Sequence, residues 1–280
     1  MEKSYDREVQ QLVENGAKKT KKYSITLHNN KPEFQKQDYK VIEGEPIYFE
    51  PDKLERSNGA IAIISKNTIP LVIKKNLKYP NPYGWTTNLE NKSVFERCHI
   101  IAYSLSAKLA DKKNIFIGTN TLNKSIMAKI EKRIHKYIMK NDVKVLYKVT
   151  IKYKGIDKIP TGILIEAQSL DDDFSVCEFC YNVQKNAKFN YKDGSIIEYR
   201  KFTVIEKVKR VIENSKKSNT SKNRKNQINN YVINRKTNEF HLKDSNCANL
   251  KNVDSKYINE TTATREELIK ANLKQCPKCN

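Results

Sequence analysis

Apolar residues recur along the chain in short runs of the kind that form β-strands. The predicted strands lie at residues 23–27, 61–64, 95–101, 145–153, 162–168, 176–183 and 199–204. Segments rich in Asn, Pro and Gly separate several of these runs, as at residues 29–32 and 79–84. The pattern therefore predicts a sheet that is mostly antiparallel.

Helical periodicity replaces the strand pattern at three places. Residues 4–16 are expected to form a short helix that ends at Gly16, and Thr264 with Glu267 forms a capping-box pattern that opens a second short helix to about residue 271. The strongest helical signal is a four-residue repeat of apolar residues at Leu122, Ile126, Ile130, Ile134 and Ile138. We therefore expect an α+β fold in which one prominent helix accompanies the antiparallel sheet.

Composition narrows the class of protein. The 280 residues include 53 Lys and Arg against 32 Asp and Glu, a formal net charge of +21. An excess of this size favours polyanionic partners, namely nucleic acid, acidic lipid or an acidic inhibitor protein, although a bias toward Lys and Asn codons would also produce it. No apolar run is long enough for a membrane span, so no membrane partner is expected. No secretory signal is visible, which indicates a cytoplasmic protein or export by a non-classical route.

The same patterns predict four parts of the chain. Residues 1–22 hold the first helix and a basic patch at 18–22, and residues 23–210 form the large α+β domain. Residues 211–229 are rich in Ser, Asn and Lys and are interpreted as a solvated linker. Residues 230–280 form a small module that contains three of the six cysteines.

Candidate chemistry in the large domain begins with His99, one of only four histidines. On a strand over residues 95–101, Arg97 and His99 share one face, whereas Cys98 points to the other. A cation beside a histidine suits phosphodiester chemistry, because Arg97 would hold the phosphate while His99 deprotonates water. A structural histidine is the alternative for His99, and His135 is interpreted as a surface residue of the long helix.

Two oxygen-bearing side chains lie on the predicted long helix. Asn123 is in its first turn, and Glu131 follows two turns later, about 80° around the axis. Such neutral and anionic oxygens suit a largely hydrated Mg²⁺. A helix cap for Asn123 and a solvated charge for Glu131 are the alternatives.

Taken together, these segments resemble a known family. Glu96-Arg-Cys-His99, the run from Asn114 to Asn123, and Ile130-Glu131 are similar to the motifs of DNA/RNA non-specific endonucleases of the ββα-metal (His-Me finger) superfamily. The likeness is closest to streptococcal-type DNases and bacterial nuclease toxins, and it extends from about residue 23 to residue 199. It implies a ββα-metal fold with a central antiparallel sheet and a catalytic helix.

The resemblance also implies roles. His99 corresponds to the general base that activates water, and Asn123 to the protein ligand of a single Mg²⁺ (or Mn²⁺). Glu131 corresponds to the acidic residue that supports water on the ion. Asn114 corresponds to an Asn near the scissile phosphate, and Arg97 to the motif arginine that steadies the site or the phosphate.

Two positions depart from the family motif. Glu96 stands where Asp is usual and Cys98 where Gly is usual. These departures motivate a second hypothesis, a nucleic-acid-binding protein with weak catalysis. A third hypothesis is a nuclease toxin that an acidic immunity protein neutralises. The first hypothesis remains a metal-dependent endonuclease that cleaves DNA, with RNA as a further substrate, largely without sequence preference.

The C-terminal module has the spacing of a zinc site. His241, Cys247, Cys276 and Cys279 offer a Cys₃His ligand set, and a module of this size with few large apolar residues needs such a stabilising site. The module resembles the small zinc-binding domain of Ada-type DNA-repair proteins, which implies a structural Zn²⁺. The alternative is a disulfide, Cys276–Cys279 or Cys247–Cys276, in an exported protein. Cys177 and Cys180 are interpreted as core residues, and a Cys98–Cys180 disulfide stays open.

Overall fold

The computed structural model describes residues 2–17, 23–71, 80–90, 94–106, 112–217, 231–243, 245 and 247–279. These residues form two compact units, 1–199 and 200–280, which we describe separately. The predicted basic patch at 18–22 and most of the predicted linker lie outside the described residues. No helix in the described ranges is both long enough and apolar enough to cross a membrane.

The first unit alternates strands with a few helices. In chain order its elements are α1 (Glu2–Asn15), β1 (Ser24–Thr26), β2 (Ile47–Tyr48), β3 (Gly59–Ile64), β4 (Phe95–His99), α2 (Tyr103–Ser106), β5 (Ile115–Thr119), α3 (Ala128–Asn141), β6 (Val145–Lys152), β7 (Gly162–Ser169), β8 (Ser175–Tyr181), β9 (Ala187–Phe189) and β10 (Ile196–Tyr199). A π-helical turn, Leu122–Met127, leads directly into α3.

A six-stranded antiparallel sheet forms the centre of this unit, with strand order β1-β8-β7-β6-β3-β2. One face of the sheet packs against α3, because the four-residue apolar repeat at Ile130, Ile134 and Ile138 lies in the same cluster as Tyr147 and Ile163. The other face packs against α1 in a cluster that contains Val9 and Val13 of the helix together with Phe179. The predicted antiparallel sheet with a prominent helix is confirmed.

Strands β4 and β5 form a separate antiparallel hairpin in which His99 pairs with Ile115 and Glu96 with Gly118. The hairpin is followed by the π-helical turn and α3, which gives the ββα order. Buried Cys98 and Phe116 join the hairpin to the cluster that includes α3. The hairpin therefore shares its hydrophobic core with the π-helical turn, which carries Asn123, and with α3, which carries Glu131.

The second unit has its own small core. It contains α4 (Val204–Lys217), β11 (Tyr231–Asn234), β12 (Glu239–Leu242), β13 (Ile258–Thr261), α5 (Arg265–Lys270) and β14 (Lys274–Gln275). The four strands form one sheet in the order β13-β11-β12-β14. Phe240 and Leu268 are fully buried in the core of this unit, and the capping box predicted at Thr264 and Glu267 is present with both of its hydrogen bonds.

The strand predicted at residues 199–204 is wrong. Tyr199 ends β10, and α4 begins at Val204. The Thr203 hydroxyl accepts a hydrogen bond from the Glu206 backbone at 3.3 Å, and a Glu206 carboxylate oxygen accepts one from the Thr203 backbone at 2.9 Å. This reciprocal pair is a capping box, which satisfies backbone donors at a helix start. Helix α4 also covers residues 211–217 of the predicted linker.

Candidate active site and metal centre

The start of the long helix is fixed to the sheet by two buried side chains. Asn182 is fully buried, and its amide bonds to the backbone of Thr119, Ile117 and Pro160 at 2.8 to 3.1 Å. The Gln184 side chain accepts a hydrogen bond from the Thr121 backbone at 2.9 Å. The end of β5 and the first helical residues are therefore held in one place relative to the sheet.

Glu96 of β4 connects the hairpin to this helix start. One carboxylate oxygen accepts a hydrogen bond from Asn120 at 2.8 Å and a short one from Lys124, and the other accepts from Asn123 Nδ2 at 2.7 Å. All three bonds of the carboxylate are made within the protein. Glu96, which stands where the family motif has Asp, therefore holds three side chains of the helix start.

Asn123 is oriented by this contact. Because Nδ2 donates to Glu96, Oδ1 is the end of the carboxamide that remains for another partner. Asn123 lies in the π-helical turn, in which its backbone carbonyl accepts from the Ala128 N–H. Turns of this kind are frequent at functional sites. An oriented amide oxygen fits a hard divalent cation such as Mg²⁺.

His99 ends β4 on the same strand as Glu96. Its side chain is half-buried, and this burial lowers its pKa to about 4. The imidazole is consequently neutral at physiological pH, which is the form a general base requires.

Asn114 occupies a different place from the one predicted. It is completely buried, its Oδ1 accepts from the Ile101 backbone at 2.9 Å, and its Nδ2 donates to the Ile101 carbonyl at 3.1 Å. Its own carbonyl accepts from Ile100 at 2.8 Å. A side chain with no exposed surface does not reach a phosphate. Asn114 instead fixes the backbone that follows His99.

Glu131 lies where the helix meets the hairpin and the sheet. Burial raises its pKa to about 7. The pKa of the Cys98 thiol is raised well above its usual value, first by burial and then by the charges of Glu96 and Glu131. The carboxylates of Glu96 and Glu131 therefore both lie close to Cys98 of β4.

Arg97 lies beside an aromatic ring. Its Nε donates to Asn81 Oδ1 at 2.8 Å, and its guanidinium carbon lies 4.5 Å from the centroid of the Trp85 ring. The structure thus brings Asn123 into contact with Glu96 of β4 and places Glu131 close to Cys98 of the same strand, which also carries Arg97 and His99. His135 is half-buried further along α3.

The second unit contains the predicted ligand cluster. The ligand atoms of His241, Cys247, Cys276 and Cys279 all lie within 4.8 Å of one another, and all four residues are buried. His241 Nδ1 is 3.2 Å from Cys279 Sγ, and the sulfurs of Cys247 and Cys276 are 3.8 Å apart. Strand β12 supplies the histidine, and the chain around β14 supplies two of the thiols.

These distances favour a metal site over a disulfide. Two sulfurs that share a tetrahedral zinc at about 2.3 Å lie about 3.8 Å apart, whereas bonded sulfurs lie about 2.05 Å apart. None of the six cysteines, which all lie in the described ranges, forms a disulfide, and this includes Cys98 and Cys180. Asn249 Nδ2 donates to Cys276 Sγ at 3.4 Å, a contact that supports a ligand thiolate. The described Cys₃His cluster is therefore a candidate zinc site.

The remaining pair of cysteines behaves as predicted. Cys177 and Cys180 are both fully buried, and they belong to the clusters on opposite faces of the sheet. Alternating side-chain directions along β8 place them there. These two thiols do not chelate one ion together.

Comparison with known proteins relates most of the first unit to a family. Residues 35–171 match the family model described as DNA/RNA non-specific endonuclease. This stretch is similar to DNA/RNA non-specific endonuclease domains. The match includes the whole β4–β5 hairpin and α3, and we call residues 1–199 the nuclease unit.

Two similar proteins come from streptococci. A deoxyribonuclease of Streptococcus dysgalactiae subsp. equisimilis is 24% identical, over 56% of this chain and 62% of that protein. The crystal structure of NucA from Streptococcus agalactiae with a magnesium ion bound superposes with a TM-score of 0.55 at 20% identity, covering 69% of this chain and 96% of NucA. A metal-free NucA structure gives 0.54 at 21% identity. The nuclease unit thus shares the NucA fold, while this chain spans less than two thirds of the curated relative.

Sequence reasoning missed several residues that build the site. Asn120 and Lys124 hold Glu96, and Asn182 and Gln184 fix the helix start. Each is a common polar residue whose role depends on a partner distant in sequence. The clearest available signal was the run Asn120 to Lys124, where polar residues crowd a helix start after an apolar strand.

Proposed function

We propose that the chain is a metal-dependent endonuclease that hydrolyses phosphodiester bonds of DNA, and of RNA, largely without sequence preference. The observation that carries the proposal is the Glu96–Asn123 hydrogen bond of 2.7 Å, which orients a carboxamide oxygen beside the strand that bears His99. The family match of residues 35–171 supports the same reaction class. The net charge of +21 supports affinity for phosphate without base readout.

The residues present fit a single Mg²⁺, for which Mn²⁺ is a substitute. Asn123 would hold it through Oδ1, and Glu131, two helical turns further along, would support its hydration. Bound there, such an ion supplies positive charge that stabilises the developing charge on the phosphate and on the leaving oxygen. Glu96 serves as an orienting residue, because both of its oxygens accept hydrogen bonds from side chains of the helix start.

The chain's own groups supply the remaining chemistry. Neutral His99 accepts a proton from the attacking water, and its low pKa keeps it available as a base well below neutral pH. Arg97 donates to a non-bridging phosphate oxygen, which fixes the phosphate relative to His99. Asn114 maintains the backbone turn after His99 through its two bonds to Ile101.

A plasmid-nicking assay with Mg²⁺ tests this function. Wild type is expected to convert supercoiled plasmid to nicked and linear forms, and EDTA is expected to stop this cleavage. His99→Ala and Asn123→Ala are each expected to lower the cleavage rate at least 10²-fold, because they remove the general base and the metal ligand. His135→Ala is the matched control, because it removes a histidine from α3 outside the proposed machinery. An inert wild type with both Mg²⁺ and Mn²⁺ would instead support the nucleic-acid-binding protein that the changes at Glu96 and Cys98 suggest.

The second unit is proposed to bind one structural Zn²⁺ through His241, Cys247, Cys276 and Cys279. Metal analysis of the purified chain is expected to find one zinc per molecule, and thiols that react with Ellman's reagent after chelation. Zinc-free protein without reactive thiols would show that disulfides form instead.

The acidic inhibitor or immunity protein stays a prediction, which rests on the net charge of +21 and on the resemblance to nuclease toxins. It predicts that expression of the active enzyme stops growth of the host cell unless an acidic partner is co-expressed. Normal growth of cells that contain active enzyme in the same compartment would contradict it.

A further inference from the structure

Residues 81–85 form a bracket around the guanidinium of Arg97. Arg97 Nε donates a hydrogen bond to Asn81 Oδ1, with 2.8 Å between the two atoms. The guanidinium carbon lies over the Trp85 ring, 4.5 Å from its centroid. Trp85 is itself packed against the buried cluster that contains Leu89 and Phe95. The ring is therefore a fixed support, and the plane of the guanidinium is set by the protein.

The bracket leaves the outer edge of Arg97 without a counter-charge. Within the ranges that the structure describes, no carboxylate lies at ion-pair distance from Arg97, whereas Arg133 pairs with Glu178 at 3.0 Å. Asn81 occupies Nε alone, so the two terminal nitrogens retain their donors. A stacked, half-buried guanidinium with this free edge suits the two oxygens of an anion.

The same loop supports a second cation. Lys112 lies three residues before the start of β5, and its Nζ is 4.1 Å from the centroid of the Tyr83 ring. Arg97 and Lys112 thus flank the His99–Ile115 end of the hairpin, each resting on an aromatic residue of one loop. Two cations held in this way match a chain of regularly spaced phosphates better than one small anion.

We propose that the loop at residues 81–85 is a phosphate-presenting bracket, in which Asn81 and Trp85 are positioning residues that aim Arg97 at a backbone phosphate of the bound nucleic acid. This inference rests on the proposed function and adds the elements that fix the strand. Lysine at position 97 does not replace arginine, because an ammonium group lacks the planar face and the second donor edge.

Trp85 makes the proposal directly measurable, since it is the single tryptophan of the chain. In a His99→Ala background, which prevents cleavage, titration with a short DNA duplex is expected to change Trp85 emission along the same curve as the anisotropy of a fluorescein-labelled duplex. Arg97→Ala is expected to weaken binding about tenfold or more and to reduce the slope of log K against log salt by about one. Asn81→Ala is expected to weaken it about fivefold, the value of one hydrogen bond.

Lys66→Ala is the matched control, because it removes the same charge from a lysine that already pairs with Asp142 at 3.2 Å. It is expected to leave the salt slope unchanged. Equal slopes for Arg97→Ala and Lys66→Ala would overturn the proposal, as would anisotropy saturation without any change in Trp85 emission.

A kinetic readout separates positioning from a general structural role. In the active enzyme, Asn81→Ala is expected to raise KM about fivefold while kcat stays within about twofold, since it loosens binding in both the ground and transition states. Trp85→Phe retains a ring and is expected to lie between wild type and Trp85→Leu. An unchanged KM in Asn81→Ala would overturn the bracket. Because the binding titration needs no cleavage, an inert wild type would refute the proposed function without deciding this result.

Discussion

The contact between Cys98 and Gly118 offers the sharpest test of how the hairpin is built. A Cβ placed on Gly118 would fall well inside contact distance of Cys98 Sγ, and it would lie 3.1 Å from Cys98 Cβ and 3.2 Å from the Phe116 ring. Both Cys98 and Phe116 are fully buried. The sulfur therefore occupies the space that a side chain on the facing strand would need.

The expected cost follows from this crowding. Overpacking a buried site usually lowers the free energy of unfolding by about 1–3 kcal/mol, whereas Gly→Ala returns about 0.4–1 kcal/mol through the unfolded chain. Gly118→Ala should therefore destabilise the nuclease unit by about 1–2 kcal/mol. In a Cys98→Ala background the sulfur is gone and only the two contacts above 3.0 Å remain, which the gain through the unfolded chain offsets, so the same change should cost close to zero.

Urea unfolding followed by Trp85 emission measures both costs, because the single tryptophan lies in the nuclease unit and reports on its unfolding. A double-mutant cycle over Cys98→Ala and Gly118→Ala should give a coupling of about 1–2 kcal/mol. If Gly118→Ala costs the same in both backgrounds, within about 0.5 kcal/mol, the sulfur does not fill that space and the reasoning fails.

Three further predictions concern titration and metal. Because the pKa of His99 is low, kcat/KM should fall on acidification only well below pH 6.5, toward pH 4. A measured pH profile in which kcat/KM already falls around pH 6.5 would contradict this. The raised pKa of Glu131 means that the folded, metal-free protein holds an extra proton between about pH 4.5 and 7, so its melting temperature should fall as pH rises through that range. Glu131→Gln should flatten this fall, and an equal slope in the variant would refute it. Cys276→Ser should abolish stoichiometric zinc and increase hydrogen exchange across residues 231–279, whereas retained zinc would exclude this cysteine as a ligand.

Much of the architecture followed from periodicity. The four-residue repeat from Leu122 to Ile138 identified the helix because a buried stripe must face the sheet along its whole length. The failure at residues 199–204 has a local cause. Apolar residues there also satisfy a helical period, and the Thr203–Glu206 capping pair decides between the two.

The candidate site was predictable as a set of residue types but not as a set of contacts. The spacing of Asn123 and Glu131 along one predicted helix was enough to assign both to one site. The Cys₃His ligands were predicted together because they lie in one short module. The role of Asn114 was misassigned, since nothing in its neighbourhood reveals that the fold buries it against Ile101. Asn182 and Glu96 act through partners far along the chain, and only tertiary structure brings these together.

The three hydrogen bonds that converge on Glu96 have a consequence for how an ion would load. Because the carboxamide of Asn123 is already oriented, a divalent cation would meet a rigid receptor and would order little of the chain as it arrives. Backbone amides of the turn Leu122–Met127 should then resist deuterium exchange equally with and without Mg²⁺. Loading would be governed by how fast the hydrated ion sheds one water molecule, and not by a folding event.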